Sequence, residues 1–258
     1  MFNNQTLSDV TFVVQASRSH DNETKPCSGP SMYIPAHKSL LAIRSPVFFA
    51  MFCGKMAKAE TNEIYLPDCE YQSLLEFFRF VYTDQVCLTG GTIMQVLYLA
   101  EKYMIPNLLV KCIEYILKIL DHSNVLCVLK HAELYGFDEL ICACWELIDK
   151  EAREVLNSDD FLTIERSLLE EVVERNLNVK SAMLFKAVDR WAKQECLREN
   201  LKPDGKVKRS IIGDRIAGKL RFPVEKDIDF INVVLQSNIL TEIETSEMLK
   251  YYQLNIKE

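Results

Sequence analysis

Apolar residues alternate with polar ones near the start of the chain and recur at helical spacing from there on. Val10, Phe12 and Val14 alternate with Asp9, Thr11 and Val13, which predicts a strand with one fully apolar face. Residues 15–31 are polar, rich in Asp, Asn, Gly, Ser and Pro, and predict a mobile hairpin loop, longer than such a connection usually is and dispensable for folding. Tyr33 and Ile34 then end a second strand at Pro35.

The stretch 34–54 organises the pattern. Residues 38–43 read as a short helix. Ser45 followed by Pro46 is a helix start, with a side-chain oxygen at the cap and proline at the first helical position. Val47, Phe48, Met51 and Phe52 recur one turn apart, and Gly54 supplies a stop. Two short helices at a sharp joint carry more apolar surface than so small a unit can bury alone. This predicts packing inside a domain and against another copy of the chain.

Residues 63–66 predict a short strand ended by Pro67. Leu74, Leu75, Phe78, Val81 and Tyr82 mark an amphipathic helix, and Val86 and Leu88 a brief strand. Gly90 and Gly91 turn the chain, with Thr92 placed to cap the next helix. Ile93, Val96, Leu97 and Ala100 define that helix, and Leu109, Cys112, Ile113, Ile116, Leu117 and Leu120 another. Strands interleaved with helices over residues 1–120 predict a small mixed sheet covered by helices.

From residue 121 the strand pattern stops. Val125, Val128, Leu129 and Ala132 run to Gly136; Asp138 is placed to cap a helix with Leu140, Ile141, Cys144, Leu147 and Ile148 on its buried face. Asp159-Asp160 begins a helix, Ser167 to Glu170 reads as a capping box, and Leu184, Ala187, Val188 and Trp191 line one helix face. Pro203-Asp204-Gly205 is a turn, Arg221-Phe222-Pro223 ends the helix after it, and two more short helices follow around 228–235 and 245–252. Residues 121–258 thus predict an all-α stack of helix pairs. Trp145 and Trp191 fall on apolar faces and read as core anchors, a ligand cage being the alternative.

Composition narrows the function. The 258 residues are 48% hydrophobic and 26% charged, with net charge −7 and no basic face, so nucleic acid is disfavoured as a partner. The densest basic group, Lys206, Lys208 and Arg209, reads as a solvated face. No apolar run reaches about 18 residues, which argues against a membrane span, and the first residues lack the pattern of a signal peptide. Nine scattered cysteines, with Cys112, Cys142 and Cys144 among apolar residues, fit reduced, buried thiols in a cytosolic or nuclear protein. His20, His37, His122 and His131 are far apart, and no metal-ligand spacing, phosphate loop or nucleophile elbow is present. His37 at a helix start reads as structural. No cofactor, metal or catalytic residue is expected.

In combination, Ser8 to Val14 (SDVTFVV), residues 34–54 (IPAHKSLLAIRSPVFFAMFCG) and residues 64–68 (IYLPD) resemble the core of a BTB/POZ domain. The second half resembles a BACK domain, on NVLCVLKHAELYGFDEL, CWELID, LFKAVDRWAKQEC and the late RFP. LYLAEKYMIPNL and VVERNLNVK resemble the branch whose longer members continue into a C-terminal PHR β-sandwich, and this chain ends about where that domain would begin.

The resemblance implies an α+β BTB/POZ domain over residues 1–120 and an all-α BACK domain over residues 121–258. It implies a non-enzymatic homodimeric adaptor that links a cullin-3 ubiquitin ligase to an unknown substrate, cytoplasmic with access to the nucleus. The alternative is a BTB–BACK scaffold without a ligase role, in transcriptional or trafficking assemblies. Carried onto this sequence, the dimer residues are Leu7, Val10, Phe12, Leu40, Leu41 and Phe49. The cullin-docking residues are Phe52, Met56, Lys58, Tyr103 and Asn107, with Asn124, Val125 and Leu129 from the first BACK helix pair, the three-box. For Tyr103 both docking and burial fit the helical period. Asp9 and Lys38 match a partly buried charged pocket near the dimer interface, two exposed charges being the other reading. In the family's docking loop a hydrophobic residue, any residue and glutamate occur in order; here the triplet is Met56-Ala57-Lys58, with a base in place of the acid.

Overall fold

The structure, a computed structural model, describes residues 2–15, 31–54, 62–220 and 228–254. The chain divides into two compact units, Met1–Ile119 and Leu120–Glu258.

In the first unit, β1 (Val10–Gln15) is the central strand of a three-stranded sheet. It pairs antiparallel with β2 (Ser31–Ala36) and parallel with β3 (Glu63–Tyr65). Val10, Phe12 and Val14 are buried as their alternation predicts, but so is Val13 on the other face. Pro35 does not stop β2. The Thr11 opposite it sends its N–H to Asn62 on the β3 side, so the edge strand loses no ladder bond to a residue that lacks a donor.

Two short helices follow, α1 (Lys38–Arg44) and α2 (Pro46–Cys53), joined at Ser45. Ser45 has extended dihedrals, and its Oγ accepts from the N–H of Phe48 at 3.1 Å, as the Ser-Pro signature predicts. The same hydroxyl donates to the carbonyl of Tyr103 at 2.6 Å. It therefore ties the α1–α2 joint to the end of a later helix.

That helix, α4 (Ile93–Lys102), packs between α3 (Tyr71–Thr83) and α5 (Pro106–Ile119). The core is aromatic. Phe48 lies 4.3 Å from Tyr103 and 5.9 Å from Phe12, and Phe77 and Phe78 close the cluster. Such pairs add about 0.5–1.5 kcal/mol each beyond the area they bury.

No strand forms at Val86 and Leu88. The backbone there serves a buried acid instead: the N–H of Cys87 donates to Glu76, whose carboxylate also takes Arg79 Nε at 3.1 Å. Thr92 makes no side-chain cap to α4; its hydroxyl accepts from the N–H of Thr89 at 3.2 Å.

The second unit is helical. It runs through α6 (Val125–Tyr135), α7 (Asp138–Lys150), α8 (Ala152–Asn157), a 3-10 turn (Asp160–Thr163) and α9 (Arg166–Glu174). Then come α10 (Ser181–Arg198), α11 (Gly205–Leu220), α12 (Ile228–Ser237) and α13 (Glu242–Leu254). Gly136 ends α6 at φ 70°, the left-handed conformation that glycine adopts freely.

The central helix is α10, packed on both α11 and α12. Its Trp191 is a core anchor, 1% exposed, with Nε1–H donating to the carbonyl of Ile164 at 2.9 Å. Trp145 is only half-buried, and the Arg175 guanidinium covers its ring at 4.5 Å while pairing with both oxygens of Asp149.

Four local expectations change in this unit. Helix α9 starts at Arg166, so Ser167 lies inside its first turn and caps nothing. Residues 160–163 form only a 3-10 turn. Cys142 is exposed, whereas Cys112 and Cys144 are buried. The basic group is not a solvated face: Lys208 is buried and reaches Asp189 at 2.5 Å, and Arg209 forks onto Glu244 at 2.9 and 3.0 Å. Residues 221–223 and 16–30, read above as a helix end and a loop, lie outside the described residues.

Candidate interaction surfaces

The α1–α2 pair presents apolar side chains outward. Ile43 is 85% exposed, Phe49 57% and Met51 39%, although the pair buries Leu41 and Phe48 fully. Helices this short have too narrow an inner stripe to hide every apolar residue. At the turn between α4 and α5, Met104 adopts φ 52° and is 59% exposed, and Val110 is 55% exposed one turn into α5. Aromatic stacking joins the two places. Phe52 stacks on Phe48 at 5.8 Å, and Phe48 stacks on Tyr103, directly before Met104.

The dimer residues divide. Leu7 is 77% exposed, Phe49 is exposed and Leu40 is half-exposed. Val10, Phe12 and Leu41 are at most 2% exposed and belong to the core of their own unit. Val10 and Phe12 lie on the inward face of the central strand, and Leu41 on the buried side of α1. Leu7, with φ 64°, sits in the turn before β1.

The docking residues divide as well. Phe52 is half-exposed and Asn107 exposed near the start of α5. Tyr103 is 2% exposed; burial pushes its hydroxyl up to about 12 and assigns it to the core. Val125 and Leu129 are fully buried on the inner face of α6, while Asn124 is half-exposed and its Oδ1 accepts from the N–H of Asp121 at 3.0 Å. Met56 and Lys58 lie outside the described residues.

Asp9 and Lys38 come together, but not as a buried charge pair. Asp9 is exposed, and its carboxylate accepts from the backbone N–H of Lys38 at 2.7 Å, at the first turn of α1. An acid there complements the helix dipole, a gain of about 0.3–1 kcal/mol. His37 is structural. Its Nε2 reaches the carbonyl of Thr6 at 3.1 Å, so that nitrogen carries a proton, and Nδ1 meets the Tyr82 hydroxyl at 2.9 Å. The histidine thereby fastens the segment before β1 to the end of α3.

A clamp escaped the sequence reading. Asp68, after β3, accepts from Tyr98 Oη and Lys102 Nζ of α4, both at 2.7 Å. Burial works to raise its carboxyl, and these two bonds overcome that, holding it at about 2. Tyr98 and Lys102 are one turn apart, the available signal, but nothing local names their partner thirty residues earlier. Among the described residues no three His, Cys, Asp or Glu side chains gather as a metal site, and no helix is long and apolar enough to cross a membrane.

Comparison with known proteins fits this architecture. A family model of the BTB/POZ domain matches residues 1–120, and one of the BACK domain (BTB And C-terminal Kelch) matches residues 125–203. The chain belongs to the BTB–BACK family, whose two domains mediate protein–protein interaction.

Its relatives include BTB/POZ domain-containing protein 6 of Mus musculus, 36% identical over 98% of this chain and 44% of that protein. Another is BTB/POZ domain-containing protein 6-B of Danio rerio, 35% identical over 98% of this chain and 50% of that protein. A third, BTB/POZ domain-containing protein 3 of Mus musculus, is 33% identical over 100% of this chain and 46% of that protein. The chain spans about half the length of the curated relatives it matches.

Proposed function

We propose that this chain is a homodimeric, non-enzymatic adaptor that links a cullin-3 ubiquitin ligase to a substrate. The observation that carries the reading is the apolar exposure of a unit otherwise well packed: Ile43, Phe49 and Met51 on α1–α2, and Met104 and Val110 at the α4–α5 turn. Each is a large side chain held in water by a rigid aromatic core, the kind of surface that marks a protein interface. The family supplies the two occupants: a second copy at Leu7, Leu40 and Phe49, and the cullin at Phe52 and Asn107, with Met104 exposed beside Asn107.

The docking loop sets the affinity. Met56 keeps the apolar member of the family triplet, and Lys58 replaces its acid. A hydrogen bond to a charged group contributes about 1.5–3 kcal/mol, so its loss weakens docking by roughly ten- to a hundredfold per site. Two sites on one dimer recover part of this if the cullin assembly is itself paired. Glu60 lies two residues on and is the substitute acid if the loop register shifts.

Calorimetry against the N-terminal region of cullin-3 tests the proposal with the wild type, Lys58→Glu and Glu60→Ala. Weak binding strengthened by Lys58→Glu is expected. If Lys58→Glu changes nothing while Glu60→Ala weakens binding, the loop register is the other one. If none of the three binds, the scaffold reading, which the base at Lys58 favours, replaces the ligase reading.

A further inference from the structure

The sheet has two edges, and they are not alike. The strand order β2-β1-β3 leaves the outer sides of β2 and β3 without a neighbouring strand among the described residues. On β2, Pro35 stands at an outward position and carries no N–H, a device that blunts an edge. β3 has no proline. The N–H of Thr11 donates to the carbonyl of Asn62 at 2.8 Å, and the N–H of Leu66 to the carbonyl of Val13 at 3.0 Å. In this parallel ladder Asn62, Ile64 and Leu66 therefore turn their backbone groups toward β1. The N–H and C=O of Glu63 and of Tyr65 point away from the sheet, and among the described residues they have no partner.

The side chains give a second, independent observation. Tyr33, Val13 and Tyr65 form one row across the outer face of the sheet. Val13 is 2% exposed, and the flanking tyrosines are 57% and 67% exposed. Pro35, Thr11 and Glu63 form the next row, which ends in an exposed acid. Glu63 accepts from the Tyr65 hydroxyl at 3.1 Å, and among the described residues no Lys or Arg pairs with it. Ile64, half-buried, lies on the opposite face.

We propose that the outer edge of β3 takes an extended segment of another protein as an added antiparallel strand. The guest places an aromatic or β-branched residue opposite Tyr65, an apolar residue opposite Ile64 and Lys or Arg opposite Glu63, in that order from its N-terminal end. Antiparallel pairing lets Glu63 and Tyr65 each exchange a pair of main-chain bonds with the residue facing it. The first guest residue extends the row of Tyr33, Val13 and Tyr65, and the charge at Glu63 selects a basic guest over an acidic one. A strand of three residues supports little more than this, so docking is weak, with a dissociation constant of about 0.1–1 mM. The same short length, with the charge, keeps the edge from pairing indiscriminately. The proposal does not rest on cullin-3 being a partner.

The test follows amide NMR shifts of the isotopically labelled, folded full chain at pH 7 during titration with the blocked peptide Gly-Thr-Tyr-Val-Arg-Thr-Gly. Saturable shifts at Glu63 and Tyr65 are expected. The same peptide N-methylated at its Tyr and Arg lacks the pairing donors and should bind wild type at least about tenfold more weakly. Tyr65→Pro removes an outward donor without removing a bond to β1, as Pro35 does on β2. It should weaken binding, read at the Glu63 amide, about fivefold or more. Glu63→Lys, read at the Tyr65 amide, should reverse the preference between this peptide and one with Glu for Arg, by about threefold in each direction.

No shift at Glu63 and Tyr65 at millimolar peptide overturns the proposal. Equal binding of the N-methylated peptide by wild type overturns the main-chain pairing, whether or not Tyr65→Pro folds. Equal binding of the Arg and Glu peptides by wild type overturns the charge selection. Shifts at these amides that follow the chain's own concentration instead of the peptide's make the occupant a second copy and overturn the foreign strand.

Discussion

The two units solve the same problem with different materials. The first is held by stacked aromatic rings around Phe48, and its apolar side chains spill outward at Ile43, Phe49 and Met104. The second buries charge: Lys208 against Asp189, and Arg209 against Glu244 with Asp214 alongside. A buried ion pair contributes little net stability, but removing one partner is costly because the other is stranded. An aromatic core yields stability directly and leaves the surface free for other tasks. The first unit thus keeps apolar side chains in water beside a rigid aromatic core, and the second, which exposes Leu134 and Ile243 as well, ties its helices by charged pairs within the chain.

The largest expected effect comes from the aromatic core. Phe48→Ala removes a fully buried ring in contact with five others and should cost about 3–5 kcal/mol, read from denaturant midpoints. A cost under about 1 kcal/mol would show that the cluster collapses around the gap. Next is the second unit's buried base: Lys208→Ala should cost about 2–3 kcal/mol, because Asp189 then loses its partner in a partly dry site. The double variant Lys208→Met, Asp189→Leu should recover most of that loss; failure to recover would mean the pair contributes more than its own desolvation. Smaller again, Ser45→Ala strips the cap of α2 and the bond to Tyr103, with about 1–2 kcal/mol expected in thermal unfolding.

The smallest effect is a pH response. Asp68 is held at about 2 in the fold, below its ordinary 3.8, so its contribution is present above about pH 4 and lost as pH falls through that value toward 2. The carboxylate is 42% exposed, and screening keeps the gain within about 1 kcal/mol. Asp68→Asn should flatten this part of the acid limb of a stability–pH curve; an unchanged limb would assign it to other acids.

Much of the fold was legible, and the reasons for the misses are local. Ser45-Pro46 gave α2 because a cap and a proline act within one turn. Pro35 misled because the sequence does not say which neighbouring strand Thr11 will bond. Val86 and Leu88 alternate like a strand, yet their backbone answers Glu76, a long-range demand. Lys208 and Arg209 looked solvated because their partners lie 19 and 35 residues away. For the site, the resemblance supplied the candidate residues but not which of them face water. Val10, Phe12, Leu41, Val125 and Leu129 are apolar because they are core, and the exposed Ile43 and Met104 carry no pattern that sets them apart from core residues.

The most direct test of the account is the mass of the chain in solution. Light scattering at low micromolar concentration should give twice the chain mass for the wild type. Phe49→Glu should give a single-chain mass with unchanged circular dichroism, since Phe49 is exposed and outside the aromatic core. A wild type that scatters as a single chain would contradict the claim that the outward apolar face of α1 and α2 is covered by a second copy.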